Sequence, residues 1–259
     1  MPWTFAHPAA ILPLRRFCPK YLSLAGLIIG SISPDFGYYV GYLSLLSKAH
    51  TPIGIISICV PVSLLLIVFV RLLHRYGAEL LPTPHRQAIL SITPIAITES
   101  ISDFFCLIVS IVIGAVTHIA WDSFTHATGY ARVFIPSLQI PLFTLSGKTI
   151  YLYSILQHIS TAFGIVILVI TYRAWLVRTT LAQAFQDERY DRQRYTILLS
   201  LFFVSLIIAV TLAVFITDPS SVLNNLSSFG VRTLVYGTSI FVVLFSLTSL
   251  IYTFLREDI

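Results

Sequence analysis

The chain has 259 residues, 56% of them apolar and only 10% charged, and its mean hydropathy is +0.87. A soluble domain carries roughly 25% charged residues, so an ordinary soluble globular protein is excluded. The formal net charge of +5 reads as basic loops facing anionic lipid, and no nucleic-acid partner is expected.

The first forty residues contain only short apolar stretches. "HPAAILPLRR" opens a helix with Pro8 at its first position. No positive charge precedes its apolar stretch, which ends at Arg15-Arg16, so it does not read as a signal peptide. "YLSLAGLIIGSIS" is too short to cross a bilayer, and Pro34 ends it. A short N-terminal helical hairpin is the expected result.

Five uncharged runs follow, each close to the roughly 20 residues that a spanning helix needs. They predict spans over 52–73, 104–121, 150–173, 195–217 and 231–255. None alternates as a barrel strand would. The expected fold class is all-α: a polytopic helical membrane protein with five full spans plus the hairpin. Residues 1–178 form the membrane domain carrying the polar motifs. Residues 179–194 form a basic loop, and 195–259 add two further transmembrane helices. Cys18, Cys59 and Cys106 show no metal or redox spacing and read as small apolar fillers. Glu99 and Asp103 read as caps of the helix that begins near 104.

Basic residues orient the spans. Nine of them (Arg71, Arg75, Arg86, Arg173, Arg178, Arg189, Arg192, Arg194 and Arg256) fall on one side. Four (Lys48, Arg132, Lys148 and Arg232) fall on the other. Segments 74–103 and 174–194 and the C-terminus are therefore expected in the cytoplasm, with 34–51, 122–149 and 218–230 outside. This orientation gathers His7, Asp35, His50, His118, Asp122 and His126 at or near the outer face. His158 lies eight residues into its span, about 12 Å of helix. His74 and His85 fall on the inner side and read as solvated or headgroup-facing.

"THIAWDSFTH" sets His118 and Asp122 one turn apart on one helix face. Imidazole and carboxylate are both ligands for zinc and similar divalent ions. The competing reading is an interfacial polar cap with Trp121 as its anchor. An ionisable residue inside a span, such as His158, is a functional hypothesis by default. Asp35 in "SPDFGYY" also suits a turn, and Thr51 or His50 also suits a helix cap before Pro52. The seven together supply the mixture that a metal site with an open position requires.

The motifs "MPWTFAHPAAILPLRR", "LIIGSISPDF", "HTPIG", "GAVTHIAWDSFTHATG" and "LQHISTAFG", in this order over about residues 1–175, resemble a bacterial membrane family of unknown function, numbered 4184. That family is grouped with inner-membrane metal-dependent hydrolases. The order of ligands is also similar to zinc-dependent phospholipase C and the S1-type nucleases. The likeness implies metal-ligand roles for His7, Asp35, His50, His118, Asp122, His126 and His158. Those enzymes carry a Glu four residues after the last His, where this chain has Ala162, and their N-terminal amine also ligates, whereas Trp3 is not first here. One or two metals are therefore expected rather than three.

The expected activity is metal-dependent hydrolysis of an ester or phosphodiester, with zinc as cofactor and Asp35 or Asp122 as ligand or base. A site at headgroup depth implies membrane lipid, or a lipid-linked or phosphate-containing substrate. Lys48, Arg132 or Lys148 would attract its anionic group. The expected location is the bacterial inner membrane, multi-pass, with a cytoplasmic C-terminus. The alternative is a non-enzyme: a metal transporter, which would place ligands near the midplane with repeat symmetry, or a scaffold stapled by a metal or polar cluster.

Overall fold

Uncharged runs become helices because lipid offers backbone groups no partner outside the segment itself. The computed structural model describes residues 3–92, 100–145, 148–180, 190–216 and 226–257; Glu99 lies outside them. Among the described residues, five helices are long and apolar enough to cross a membrane: Pro52–Glu79, Ile101–Thr125, Leu152–Thr180, Asp191–Ile216 and Ser228–Leu255. They match the five expected runs.

The N-terminal hairpin is built from short pieces. A 3₁₀ turn over Thr4–Ala6 leads into α1 (Pro8–Ile11), and α2 covers Leu24–Ile32. A second 3₁₀ turn, Ser33–Asp35, is followed by α3 (Phe36–Tyr39) and α4 (Leu43–Ala49). At nine residues, α2 is about 13 Å long and cannot span. The first spanning segment contains α5 (Pro52–Gly54), a π-helical turn and α6 (Val60–Glu79). Next come α7 (His85–Leu90) and α8 (Ile101–Thr125). Ser100 caps α8 by accepting from the Asp103 N–H at 3.1 Å.

The stretch expected as an outer loop carries structure of its own. It holds α9 (Ala131–Phe134) and an antiparallel pair, β1 (Pro141–Leu145) with β2 (Lys148–Tyr151). The chain ends with α10 (Leu152–Thr180), α11 (Asp191–Ile216) and α12 (Leu226–Glu257).

Two compact units divide the chain: residues 1–68 with 95–173, and residues 69–94 with 174–259. In the first, α2 lies along α8. Helices in lipid associate through close packing of small residues, since lipid tails are as apolar as leucine. Gly30 and Gly114 make that approach possible: a Cβ at Gly30 would meet the Ile111 carbonyl, and one at Gly114 would meet the Leu27 carbonyl. The backbone N–H of Ser23 donates to Ser110 Oγ at 2.8 Å, pinning the register of the two helices. Leu27, Ile67, Leu107 and Ile111 are buried around this crossing.

In the second unit, α11 and α12 pack together around Ala209. Polar groups hold its ends. Arg194, fully buried, donates through Nη1 to Asp191 at 3.0 Å and through Nε to the Glu79 carbonyl at 3.1 Å. The expected basic loop thus ends in a buried structural arginine. His74, expected to be solvated, has its Nε2 2.9 Å from the Ile89 carbonyl.

Candidate metal centre

Three separate pieces of chain converge beside α8, all within the first unit. Helix α8 runs to Thr125, so His118 and Asp122 stand one turn apart on the same buried face. Pro34 starts the 3₁₀ turn that ends at Asp35 and turns its buried carboxylate toward them. Thr51 caps α5, accepting from Gly54 N–H at 3.0 Å, with Pro52 at the first helical position. The cap duty expected of Thr51 or His50 thus falls to Thr51 and leaves the His50 ring for the cluster. His7 ends the first 3₁₀ turn and is buried, its ring stacked on that of His118 with centroids 3.7 Å apart.

Asp35, His50, His118 and Asp122 each present one ligand atom, and these four atoms lie within 4.8 Å of one another. His118 Nε2 is 3.6 Å from Asp35 Oδ1 and 3.4 Å from Asp122 Oδ2. His50 Nε2 is 3.8 Å from each of the same two oxygens. Hydrogen bonds between such groups close to roughly 2.7–3.2 Å. A tetrahedral ion bound at about 2.0–2.1 Å instead sets its ligands about 3.3 Å apart. The observed spacings lie nearer the second figure.

The far side of each ligand is tied down. His118 Nδ1–H donates to the Ser31 carbonyl at 2.7 Å, and His50 Nδ1–H donates to the Leu46 carbonyl at 2.9 Å. Both bonds fix the tautomer that leaves an Nε2 lone pair facing inward, as second-shell partners do for metal-bound histidines. Thr4 Oγ1 donates to Asp35 Oδ2 at 2.6 Å, leaving Oδ1 for the cluster. His118 Nε2 and Asp122 Oδ1 are buried with no hydrogen-bond partner among the described residues. Groups in that condition are costly unless something else satisfies them. Thr4 and the Ser31 carbonyl had no recognisable sequence signal, because their roles come only from long-range packing.

Charge fits a divalent cation: two carboxylates balance it and two imidazoles complete four donors. Burial alone would raise the Asp35 carboxyl, but the adjacent His118 imidazole and the Thr4 hydroxyl outweigh it and hold the group below the usual carboxylate range. Burial, reinforced by His118, pushes the His7 imidazole down to about 3, so it is neutral at neutral pH.

The other expected ligands fall in two places. His7 Nε2 and His126 Nδ1 flank the second Asp122 oxygen, Oδ1, at 3.5 and 3.4 Å. His126 sits just past the end of α8 in extended backbone, its Nδ1 also 3.2 Å from the Asp122 carbonyl. His158 lies on α10 with an exposed side chain and is not among the four clustered ligands. One edge of the site is accessible: the side chains of His50 and His126 are 27% and 22% exposed, against 0% for His118. Lys48 is exposed two residues from His50. The Arg132 guanidinium lies over the Tyr153 ring, 5.1 Å from its centroid.

No curated protein and no solved structure matches this chain. Residues 1–251 match the family described as a domain of unknown function (DUF4184), and the chain belongs to it. The match extends past the polar motifs into the last two spanning helices.

Proposed function

For this member of the DUF4184 family, we propose a membrane-embedded metal-dependent hydrolase acting on an ester or phosphodiester of a lipid or lipid-linked substrate. Zinc suits the donor set of two imidazoles and two carboxylates, four ligands at most from protein. The observation that carries the reading is the convergence of four ligand atoms whose opposite atoms are each held or buried.

A divalent ion held by these residues with one coordination position left to solvent would supply Lewis-acid activation of water and of a scissile oxygen. The chain's own residues divide the remaining work. Asp35 has one oxygen committed to Thr4, so its role is to ligate. Asp122 keeps Oδ1, buried and without a hydrogen-bond partner among the described residues, facing His7 and His126. That oxygen takes the proton of the attacking water. Lys48, exposed beside His50, attracts an anionic head group.

The nine-to-four distribution of basic residues supports a bacterial inner-membrane orientation with the site at the outer face and the C-terminus in the cytoplasm. Cysteine at Thr128 should then react with an impermeant thiol reagent from outside intact cells, and cysteine at Gln193 should not, in a background lacking the natural cysteines.

The deciding experiment is elemental analysis of protein purified with metal supplied throughout, beside His118→Ala, with hydrolysis of a chromogenic ester and phosphodiester measured on the same samples. Stoichiometric metal and turnover in the wild type, both lost in the variant, is the expected result. Metal without turnover makes the site a structural staple. No metal in the wild type ends the proposal.

A further inference from the structure

A cavity of about 820 Å³ opens next to the cluster, within the size range of small-molecule sites, about 300–1,000 Å³. Its walls come from α8, α10 and the N-terminal hairpin, and all of them lie in the first unit. Small residues, Ala6, Ala9, Ala10, Ala120 and Gly164, make up much of its lining. Gly164 lets the hairpin sit directly on α10: a Cβ there would come 2.9 Å from the Ala6 carbonyl oxygen. Trp121 and Phe124 on α8 and Ile159 and Phe163 on α10 also line the cavity.

The lining offers an occupant almost no polar contact. Its three hydroxyls are all turned back onto their own helices. Thr117 donates to the Gly114 carbonyl at 2.7 Å, Thr125 to that of Trp121 at 3.3 Å, and Ser160 to that of Gln157 at 3.1 Å. Besides the Trp121 indole N–H, the remaining polar side chain of the lining is His7, whose two ring nitrogens are buried without hydrogen-bond partners among the described residues. His7 is also the residue that touches the cluster, 3.5 Å from Asp122 Oδ1. The groove therefore has one polar end, at the site, and is apolar elsewhere.

Its length fits one leaflet. Along α10 the lining runs from Leu156 to Ile167, about 16 Å at 1.5 Å per residue. Half of a hydrocarbon core about 30 Å thick is about 15 Å. Both walls are membrane-spanning helices, so the mouth of the groove faces acyl chains.

We infer that this groove binds a single hydrocarbon chain of a membrane lipid and holds the lipid's head group against the Asp35–His50–His118–Asp122 cluster. The head-group half rests on the hydrolase reading above, whereas the chain-binding half stands on the groove alone. His7, shared by both, marks where the apolar chain gives way to the polar linkage. A substrate without a chain would lose the groove's hold on it and meet the cluster only by collision.

The test uses full-length protein in vesicles of phosphatidylethanolamine and phosphatidylglycerol. They contain a trace of phosphatidylglycerol carrying a diazirine midway along one acyl chain. After irradiation, cross-linked peptides are mapped by mass spectrometry and metal content is measured on the same sample. Labelling at Ala120 and Phe163 should exceed that at Phe202 and Phe203, exposed on α11, by about tenfold, equivalent to about 1.4 kcal/mol of preferential retention. Ala120→Trp should fill the groove and remove that excess while leaving metal content and the α11 labelling unchanged. Ser160→Phe fills it from the opposite wall if the first variant does not fold. Groove labelling no higher than on α11, or an excess that survives both substitutions, would overturn the inference. Metal bound with the groove unlabelled removes the chain site and leaves the hydrolase reading standing. A labelled groove in protein that binds no metal does the reverse.

Discussion

Each of the two units contains a buried polar cluster, and the two are built differently. Around Arg194 the contacts have hydrogen-bond length: 3.0 Å to Asp191, 3.1 Å to the Glu79 carbonyl, with Arg86 and Glu79 joined at 2.8 and 2.9 Å nearby. Around His118 the inward contacts are 3.4 to 3.8 Å, and the short contacts all lie on the outward side, to Ser31, Leu46 and Thr4. The first cluster satisfies its charges with one another, which is how buried ion pairs hold structure. The second holds its members in place from behind and leaves their inner atoms facing a common centre. Charge and burial alone would have classed them together. The direction of the short hydrogen bonds separates a fastening from a ligand shell.

The largest expected effect breaks the fastening. Arg194→Ala removes the buried guanidinium from Asp191, which keeps the Thr83 N–H at 3.1 Å, and from the Glu79 carbonyl, at a cost of about 3–5 kcal/mol. Thermal unfolding in detergent should show a large fall in midpoint, while the surviving folded fraction keeps its metal. Loss of metal with an unchanged midpoint would reverse the assignments of the two clusters.

Breaking the shell should do the opposite. Asp122→Asn removes a ligand that faces both His118 and His50, and metal affinity should fall by more than the roughly 10–100-fold typical of outer-shell partners. The unfolding midpoint of the metal-free protein should barely move. The substitution removes one of two carboxylates gathered in a buried space, so it takes away repulsion as well as attraction. A collapse of the metal-free fold would make the cluster a fastening after all.

Thr4→Val sharpens the comparison at an intermediate level. It deletes the 2.6 Å bond that holds Asp35 Oδ2 but leaves every ligand in place. Metal affinity should weaken by about 10–100-fold, and Thr4→Ser, which keeps the donor, should recover most of it. Equal affinity in Thr4→Val, measured by competition with a chelating dye, would mean that Asp35 is positioned by the 3₁₀ turn alone.

Much of this was legible in the sequence. The five spans follow from uncharged runs, because a bilayer leaves a chain few alternatives. His118 and Asp122 follow from the four-residue step on one helix. Asp35 and His50 were reachable because the basic-residue count put them on the same side as His118. Other features were hidden. The β1–β2 pair lies in a stretch, "PLFTLSGKTIY", of short β-prone segments, but a loop between spans masks so weak a signal. The buried role of Arg194 was hidden because a charge run reads first as a solvated face. The Thr4 contact spans 31 residues, and no local pattern encodes such a pairing.

His158 tests the comparison at its smallest effect. The sequence makes it a candidate ligand, since an imidazole within a span is expensive to keep. In the structure α10 carries it on an exposed face, while the contacts of α10 with the hairpin are made by Gly164, against Ala6, and by Thr161 Oγ1, which accepts from the Trp3 N–H at 3.3 Å. A ligand must reach about 2 Å from its ion, and the four atoms that converge come from α8, the 3₁₀ turn at Asp35 and the end of α4. His158→Ala should therefore leave metal content and affinity within about twofold of wild type, and shift the unfolding midpoint by no more than the roughly 0.5 kcal/mol typical of an exposed site. The measurement is metal titration and thermal unfolding beside His118→Ala in the same detergent. A loss comparable to that of His118→Ala would require α10 to rotate and bring His158 to the cluster when metal binds. That would replace the fixed four-ligand shell with one that the last helix of the first unit completes.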